Sequence, residues 1–209
     1  MKILKVLFTL LFMNLSFGQN FEGKWILTKN GDTYLVPKIN VFEFKNGKII
    51  SSDLEKNIQT NDYQVSENEI FVQGKFLGTY KFINVNRFTL YKKDEKDSKK
   101  NLEIDFVRLE KTKTELTESE IEKLVFENKD YEIKIAFNTE LQKPIILEMM
   151  KERGSKKMLL KKIDETYFIY NYEGNELDSV IPIREINTDF IEIYGFSREE
   201  PYSLIAKKI

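Results

Sequence analysis

The sequence contains neither cysteine nor histidine, and it has only 9 glycines in 209 residues. The lack of cysteine excludes a disulfide framework, a thiolate metal site and a lipid-modified cysteine after a leader. The lack of histidine excludes a Ser-His-Asp triad, an imidazole base and a histidine metal ligand. The chain also has no phosphate-binding glycine loop, dinucleotide fingerprint or Gly-x-Ser-x-Gly elbow. These absences predict a protein that is not an enzyme and that holds no metal or cofactor.

Charge and composition bear on three further classes of protein: glycosidases, nucleic-acid-binding proteins and disordered chains. A catalytic pair of carboxylates, as in glycosidases, stays possible because the chain has 34 acidic residues. However, Glu43, Glu103 and Glu192 alternate with apolar neighbours, which is typical of the solvent-facing side of a strand. The 33 basic residues nearly balance the acidic ones without forming a basic stripe, so we expect no nucleic-acid partner. The 41% of hydrophobic residues, with 16 Phe and 10 Tyr, are enough for a folded core.

The first 19 residues have the pattern of a secretory signal peptide. Two lysines precede an apolar run from Val6 to Met13, and the small residues Ser16 and Gly18 follow. The run is too short for a membrane span, and no later run reaches that length. We therefore predict cleavage near Gly18 or Gln19 and export to the periplasm or the medium. A buried N-terminal helix or strand is the alternative, because short apolar runs are ambiguous.

A sequence repeat divides the rest of the chain. The stretch Phe21–Leu27 returns in degraded form 105 positions later as Phe126–Ile133, and Ile83–Tyr91 matches Ile186–Tyr194 at an offset of 103. Because these anchors keep their order at nearly constant spacing, they indicate two similar modules. We predict a signal peptide at 1–19, a first module at 20–111, a linker at 112–125 and a degenerate second module at 126–209.

Short alternating segments with polar turns predict an all-β fold. Phe42 and Phe44 share one face of Val41–Lys45, and the dipeptide Asn46-Gly47 that follows is the strongest short hairpin signal. Further strands are predicted at 63–65, 69–72, 79–82, 87–91 and 102–109. Each module is predicted to be a small antiparallel barrel or a curled open sheet, and the sequence leaves these two alternatives open.

A short helix is predicted at Leu116–Leu124, because Thr117 and Glu120 have the spacing of a capping box. This helix would plug one end of a module or space the two modules.

The second module carries two ambiguous segments. Ile145–Met149 and Met158–Leu160 predict a hairpin that turns at Gly154-Ser155, while Met149–Arg153 leaves a helical turn as the alternative. Tyr167–Tyr172 is apolar on both faces, which is typical of a strand buried on both sides or of a recognition surface. Burial is the favoured interpretation.

Gly23-Lys24-Trp25 at the start of the first strand, followed by meandering hairpins, resembles the lipocalin-like domains of exported bacterial proteins. The resemblance implies that Trp25 closes the floor of a barrel and that a basic residue from the last strand, Arg108, packs over the indole. In the second module, the repeat alignment puts Asp130 or Tyr131 at the position of Trp25 and Leu204 at that of Arg108. We therefore expect apolar packing at the second floor.

Aromatic residues of the first module are the candidate ligand contacts. In a small barrel that its side chains do not fill, they would line a cavity for one apolar ligand, and the alternative is that they fill the core. The ligand-binding candidates are Phe42, Phe44, Tyr63, Phe71, Tyr80, Phe82 and Phe88. The expected function is binding of a small apolar ligand by an exported protein. The alternative is a structural or protein-interaction module of the cell envelope.

Overall fold

Antiparallel strands make up nearly all of the regular structure. The computed structural model describes residues 20–34, 40–53, 58–94, 100–137, 156–198 and 200–209. The first module contains β1 Gly23–Asn30, β2 Thr33–Tyr34, β3 Asn40–Lys45, β4 Lys48–Asp53, β5 Ile58–Ser66, β6 Glu69–Val72, β7 Lys75–Asn84, β8 Arg87–Lys93 and β9 Asn101–Arg108. After a helical turn, α1 Glu118–Ile121, follow β10 Val125–Asn128, β11 Ile133–Ala136, β12 Lys156–Ile163, β13 Thr166–Glu173, β14 Glu176–Ile186, β15 Phe190–Arg198 and β16 Glu200–Lys208.

Strand β1 closes the first module into a barrel, because it pairs antiparallel with β3 on one side and with β9 on the other. Within the described residues, eight strands complete the ring, namely β1 and β3 to β9, and the short β2 pairs with the end of β1. Trp25 is central to this closure, since it lies opposite both Phe42 on β3 and Arg108 on β9. Of the two predicted alternatives, this module adopts the closed barrel.

The second module repeats the strand order of the barrel. Its described strands form a curled sheet in the order β11-β10-β16-β15-β14-β13-β12, which matches the barrel when β10 is aligned with β1, β15 with β8 and β16 with β9. The hairpin between Ile186 and Phe190 thereby corresponds to the one between Asn84 and Arg87. The two outer strands of this sheet approach each other through one parallel bridge between Phe137 and Met158.

Two hairpin turns of the barrel have positive φ at both central residues. Asn46 and Gly47 have φ of 50° and 72°, and the flanking residues pair across the turn, which confirms the predicted hairpin. Gln73 and Gly74 have the same values and join β6 to β7. The dipeptide Gln73-Gly74 does not predict this hairpin, because glutamine is not among the residues that favour positive φ.

Helix α1 is shorter than the predicted 116–124. Its first turn is capped as expected, because the Thr117 backbone N–H donates to the Glu120 carboxylate at 2.8 Å. Hydrogen bonds from the Thr117 hydroxyl and backbone N–H lower the pKa of Glu120. Ile121 is fully buried, and Leu116 and Leu124 pack against the core of the second module. The apolar side chains of this segment therefore belong to the core of the second module, and the two predicted roles of the helix stay predictions.

The modules meet through a buried tyrosine. Ile26 and Val107, on the outer face of the barrel, pack against Tyr194 of β15. The Glu110 backbone N–H donates to the Tyr194 hydroxyl at 2.8 Å, and the Arg184 guanidinium carbon lies 4.6 Å from the ring centroid. Burial raises the pKa of Tyr194 above its usual value. The contact is therefore built for the neutral phenol.

A buried ion pair lies on the outer face of the barrel wall. Arg87 Nη2 donates to Asp105 Oδ2 at 2.9 Å, and the Thr89 hydroxyl donates to Asp105 Oδ1 at 2.6 Å. Both charged side chains are less than one-tenth exposed. Arg87 therefore compensates the charge of the buried Asp105 carboxylate.

Some sequence predictions concern residues outside the described ranges. These are the signal peptide at 1–19, the strand Ile145–Met149, the turn at Gly154-Ser155 and the alternative helical turn Met149–Arg153. The partner predicted for that strand, Met158–Leu160, lies within β12.

Replacing Arg87 with methionine should lower the free energy of unfolding by about 3–5 kcal/mol, because the buried Asp105 carboxylate loses its counter-ion. Lys111→Met is the matched control, since it breaks an exposed pair with Glu165 and should cost less than about 1 kcal/mol. Urea denaturation of both variants measures the difference. Equal losses in the two variants would contradict the assigned role of the buried pair.

Raising the pH above about 10 should destabilise the protein, because tyrosines then ionise in the unfolded chain while burial holds the pKa of Tyr194 higher in the folded one. The folded state keeps the proton, so the stability falls with pH, by up to about 1.4 kcal/mol per pH unit for one group. Urea denaturation from pH 8 to 11 should show a shallower fall for Tyr194→Phe. Tyr131→Phe, which alters an exposed side chain, should keep the wild-type slope.

Candidate functional site

The barrel floor is built around Trp25, which is fully buried. Its indole Nε1–H donates to the Phe21 carbonyl at 2.7 Å, so the one polar atom of the side chain is satisfied. The Arg108 guanidinium carbon lies 4.2 Å from the centroid of the Trp25 ring, within the reach of a cation–π contact. The two residues singled out by the resemblance are therefore in direct contact.

Arg108 ties three parts of the backbone together at this floor. Its guanidinium donates to the carbonyl of Asn20 at 2.6 Å, to that of Val85 at 3.1 Å and to that of Glu22. Burial lowers the pKa of Arg108 and the nearby Glu110 opposes the shift, but an arginine stays charged throughout the physiological range. The guanidinium thus holds the segment before β1 and the β7–β8 turn against the end of β9.

Gly23 is required by the position of Arg108. A Cβ atom at residue 23 would lie 2.8 Å from Arg108 Nη1, closer than such atoms approach in proteins. The residue also has φ of +116°, a conformation that is essentially restricted to glycine. The glycine two positions before Trp25 therefore gives the guanidinium the room to cover the indole.

An aromatic cluster completes this floor beside Trp25. The Phe21 ring lies 4.6 Å from Tyr80 and 5.0 Å from Phe82, and Phe44 lies 5.2 Å from Tyr63. Burial raises the pKa of both tyrosines, with Glu22 adding to the shift at Tyr63. The Tyr80 hydroxyl donates to the Glu67 carbonyl at 2.8 Å. Three of the seven ligand candidates, Tyr63, Tyr80 and Phe82, thus belong to the floor packing.

A cavity of about 280 Å³ occupies the lumen on the other side of this cluster. Phe42, Phe44 and Phe88 are the ligand candidates that line it. The remaining lining residues are contributed by β4 to β9, and they are Ile49, Ser51, Gln59, Asn61, Ile70, Val72, Leu77, Leu90 and Phe106. The volume of about 280 Å³ lies just below the range of about 300–1,000 Å³ that is usual for small-molecule sites.

Phe71 is not brought together with the other six candidates. Its neighbours Ile70 and Val72 line the cavity, and alternation along β6 directs Phe71 to the opposite face. Its ring packs against Phe76, with 5.7 Å between the centroids, and Phe76 is itself about half exposed. The sequence assigned Phe71 to the lumen by residue type, whereas its position in the strand places it outside.

Three polar residues of the lumen were missed by the sequence analysis. Ser51 of β4 lies opposite Gln59 of β5, and Asn61 follows two residues later on the same face. The signal that could have found them is their spacing from Tyr63, because positions 59, 61 and 63 of a strand share one face. Because β5 has polar residues on its inner face, it lacks the alternation that marked the other strands.

A second cavity, of about 370 Å³, lies between the modules. Ile50 and Ile58 of the barrel line it together with Phe168 of β13. Lys24 and Asp164 form an ion pair across it, and Lys111 pairs with Glu165 at 2.5 Å. These lysines are thus matched by carboxylates of the second module.

In the second module, the residues at the positions of Trp25 and Arg108 are not the ones that the repeat alignment predicted. Phe126 of β10 lies opposite Lys208 of β16, as Trp25 lies opposite Arg108 in the barrel. The sequence alignment, which put Leu204 at the position of Arg108, is therefore displaced by four residues. Phe126 is fully buried, so an apolar side chain stands where the tryptophan does in the first module.

Comparisons with protein-family models, curated proteins and solved structures find no significant match to this chain. In the described ranges, no group of three or more acidic residues is arranged to hold a metal ion. Nor does any helix there have the length and apolar character needed to cross a membrane. The closed barrel and its cavity are the structural features that bear on function.

Replacing Arg108 with methionine should lower the free energy of unfolding by about 1.5–3 kcal/mol, because the hydrogen bonds of a charged donor to three carbonyls are lost. Arg108→Lys should recover only part of the loss, since one ammonium cannot reproduce the planar fork. Trp25 is the only tryptophan, so its fluorescence reports on the floor. A methionine variant with unchanged stability and emission would contradict the assignment.

Proposed function

We propose that this protein binds one small, largely apolar molecule in the lumen of its first module, as an exported lipocalin-like carrier. The observation that carries the proposal is the cavity of about 280 Å³, most of whose lining side chains are aliphatic or aromatic. Apolar pockets with a few polar groups are the usual form of small-molecule sites. Burial of apolar ligand surface against these walls supplies the driving force.

The rigid floor supports the proposal. A cavity persists only if the surrounding side chains cannot collapse into it. Phe88 stacks on Phe106 with 4.6 Å between the centroids and packs against the buried Trp25, and these contacts hold two walls of the cavity in place. The ligand would therefore enter a preformed space, which reduces the entropic cost of binding.

The lipocalin-like and exported parts of the proposal have separate support. The closed antiparallel barrel and the contact between Trp25 and Arg108 favour the lipocalin-like assignment. The leader pattern of residues 1–19 favours export. An N-terminal sequence of the protein recovered from its host tests the second part, because an exported chain should begin near Asn20.

The protein-interaction alternative loses its main sequence observation. The segment Tyr167–Tyr172 was the candidate recognition surface, but Tyr170 is only 1% exposed and packs in a buried cluster with Phe168. Native mass spectrometry of the protein purified from its own host distinguishes the two functions. A small adduct that leaves on denaturation supports the carrier, and a bare chain that captures an envelope protein supports the alternative.

Leu77→Trp should abolish lumen binding, because the larger side chain fills part of the cavity that Leu77 lines. Phe76→Trp is the matched control, since the neighbouring Phe76 is about half exposed and faces away from the lumen. We expect the dissociation constant of the uncharged dye N-phenyl-1-naphthylamine to rise at least about tenfold in the first variant and to stay unchanged in the second. Equal binding by both would show that the dye does not occupy the lumen.

A further inference from the structure

We propose that the cavity selects an uncharged ligand with a hydrogen-bond acceptor, such as a ketone, ester or amide, and that Ser51, Gln59 and Asn61 bind this acceptor. The inference rests on the proposed function, because it specifies the ligand of the same lumen. Three observations support it: the positions of the polar side chains, their existing hydrogen bonds and the lack of charge in the described lining.

The three polar residues form one continuous patch. Ser51 and Gln59 are direct partners across the β4–β5 ladder, and Asn61 lies one step further along the same face, opposite Ile49. Directly opposed side chains on neighbouring strands have Cβ atoms about 5 Å apart, so a single ligand atom can reach more than one of these groups. Every other described residue that lines the cavity is aliphatic or aromatic.

The patch has hydrogen-bond donors to offer. Within the described residues, the side chains of Ser51 and Gln59 make no hydrogen bond, and Asn61 Oδ1 accepts one from Gln73 Nε2 at 2.6 Å. That bond occupies the acceptor atom of Asn61 and leaves its two amide hydrogens for another partner. The donors of Asn61, Gln59 and Ser51 are thus available to a ligand carbonyl.

Among the described residues, none that lines the cavity is charged. A carboxylate or ammonium group bound there would lose part of its water without gaining a counter-ion from the described lining, which is more costly than partial desolvation of a neutral polar group. A purely apolar ligand would instead cover the polar patch and deprive it of water. A neutral molecule with one acceptor and an apolar body avoids both penalties.

Displacement of N-phenyl-1-naphthylamine by 2-octanone, octanoate and octylammonium at pH 7.5 tests the inference. These probes share a similar chain length and differ in the charge of the polar end. We expect 2-octanone to bind the wild-type protein at least about tenfold more tightly than either ion. The double variant Gln59→Met, Asn61→Leu should weaken 2-octanone about tenfold, because its hydrogen bonds are lost while the shape is nearly kept.

Thr60→Val is the matched control, since Thr60 lies on the same strand between the two residues, exposed and outside the lining of the cavity. It should leave all three affinities unchanged. Octanoate or octylammonium binding as tightly as 2-octanone, or a double variant that keeps the wild-type preference, would overturn the inference while lumen binding stands. If neither the wild-type protein nor Thr60→Val binds the dye or any probe, the proposed function fails together with the inference.

Discussion

The double pairing of β1 determines the rest of the structure. One strand bonds to β3 and to β9 at once, and the same residue, Trp25, stands at both junctions. Arg108 then fastens the closed ring, because one guanidinium satisfies carbonyls from Asn20, Glu22 and Val85. Closure removes the free edges of the sheet and gives the barrel an inside. The cavity exists only because this ring is closed and its floor is filled.

The cavity results from an uneven distribution of side-chain volume within the ring. Near the floor, Phe21 packs against several rings, and little space is left between them. Further along the lumen, Phe42 faces Ser51 across the β3–β4 ladder, and a small side chain beside a large one leaves volume unfilled. The polar groups of Ser51 and Gln59 are tolerated there because both side chains keep contact with solvent. Size and polarity thus change together along the barrel.

The sequence predicts the features that local chemistry determines. The Asn46-Gly47 hairpin follows from a short motif whose geometry is fixed, whereas the contact of Trp25 with Arg108 was implied by the resemblance to lipocalin-like domains. It does not reveal the inner face of β5, because Gln59 and Asn61 invert the pattern that identifies a buried side. The cavity is equally hidden, since an unfilled volume depends on the sum of many side chains and on their register. Residue type alone therefore cannot separate lumen-lining aromatics from floor aromatics.

The two modules share a strand order but differ in which faces they bury. In β13, Tyr167 and Ile169 belong to the core of the second module, whereas Phe168 and Tyr170 belong to a separate cluster that includes Leu109, the residue after β9. A sheet that is apolar on both sides needs a cover on each. Leu109 also packs with the cluster that joins the barrel to β15. The second module is therefore stabilised by its attachment to the barrel, and the barrel has part of its outer face covered in return.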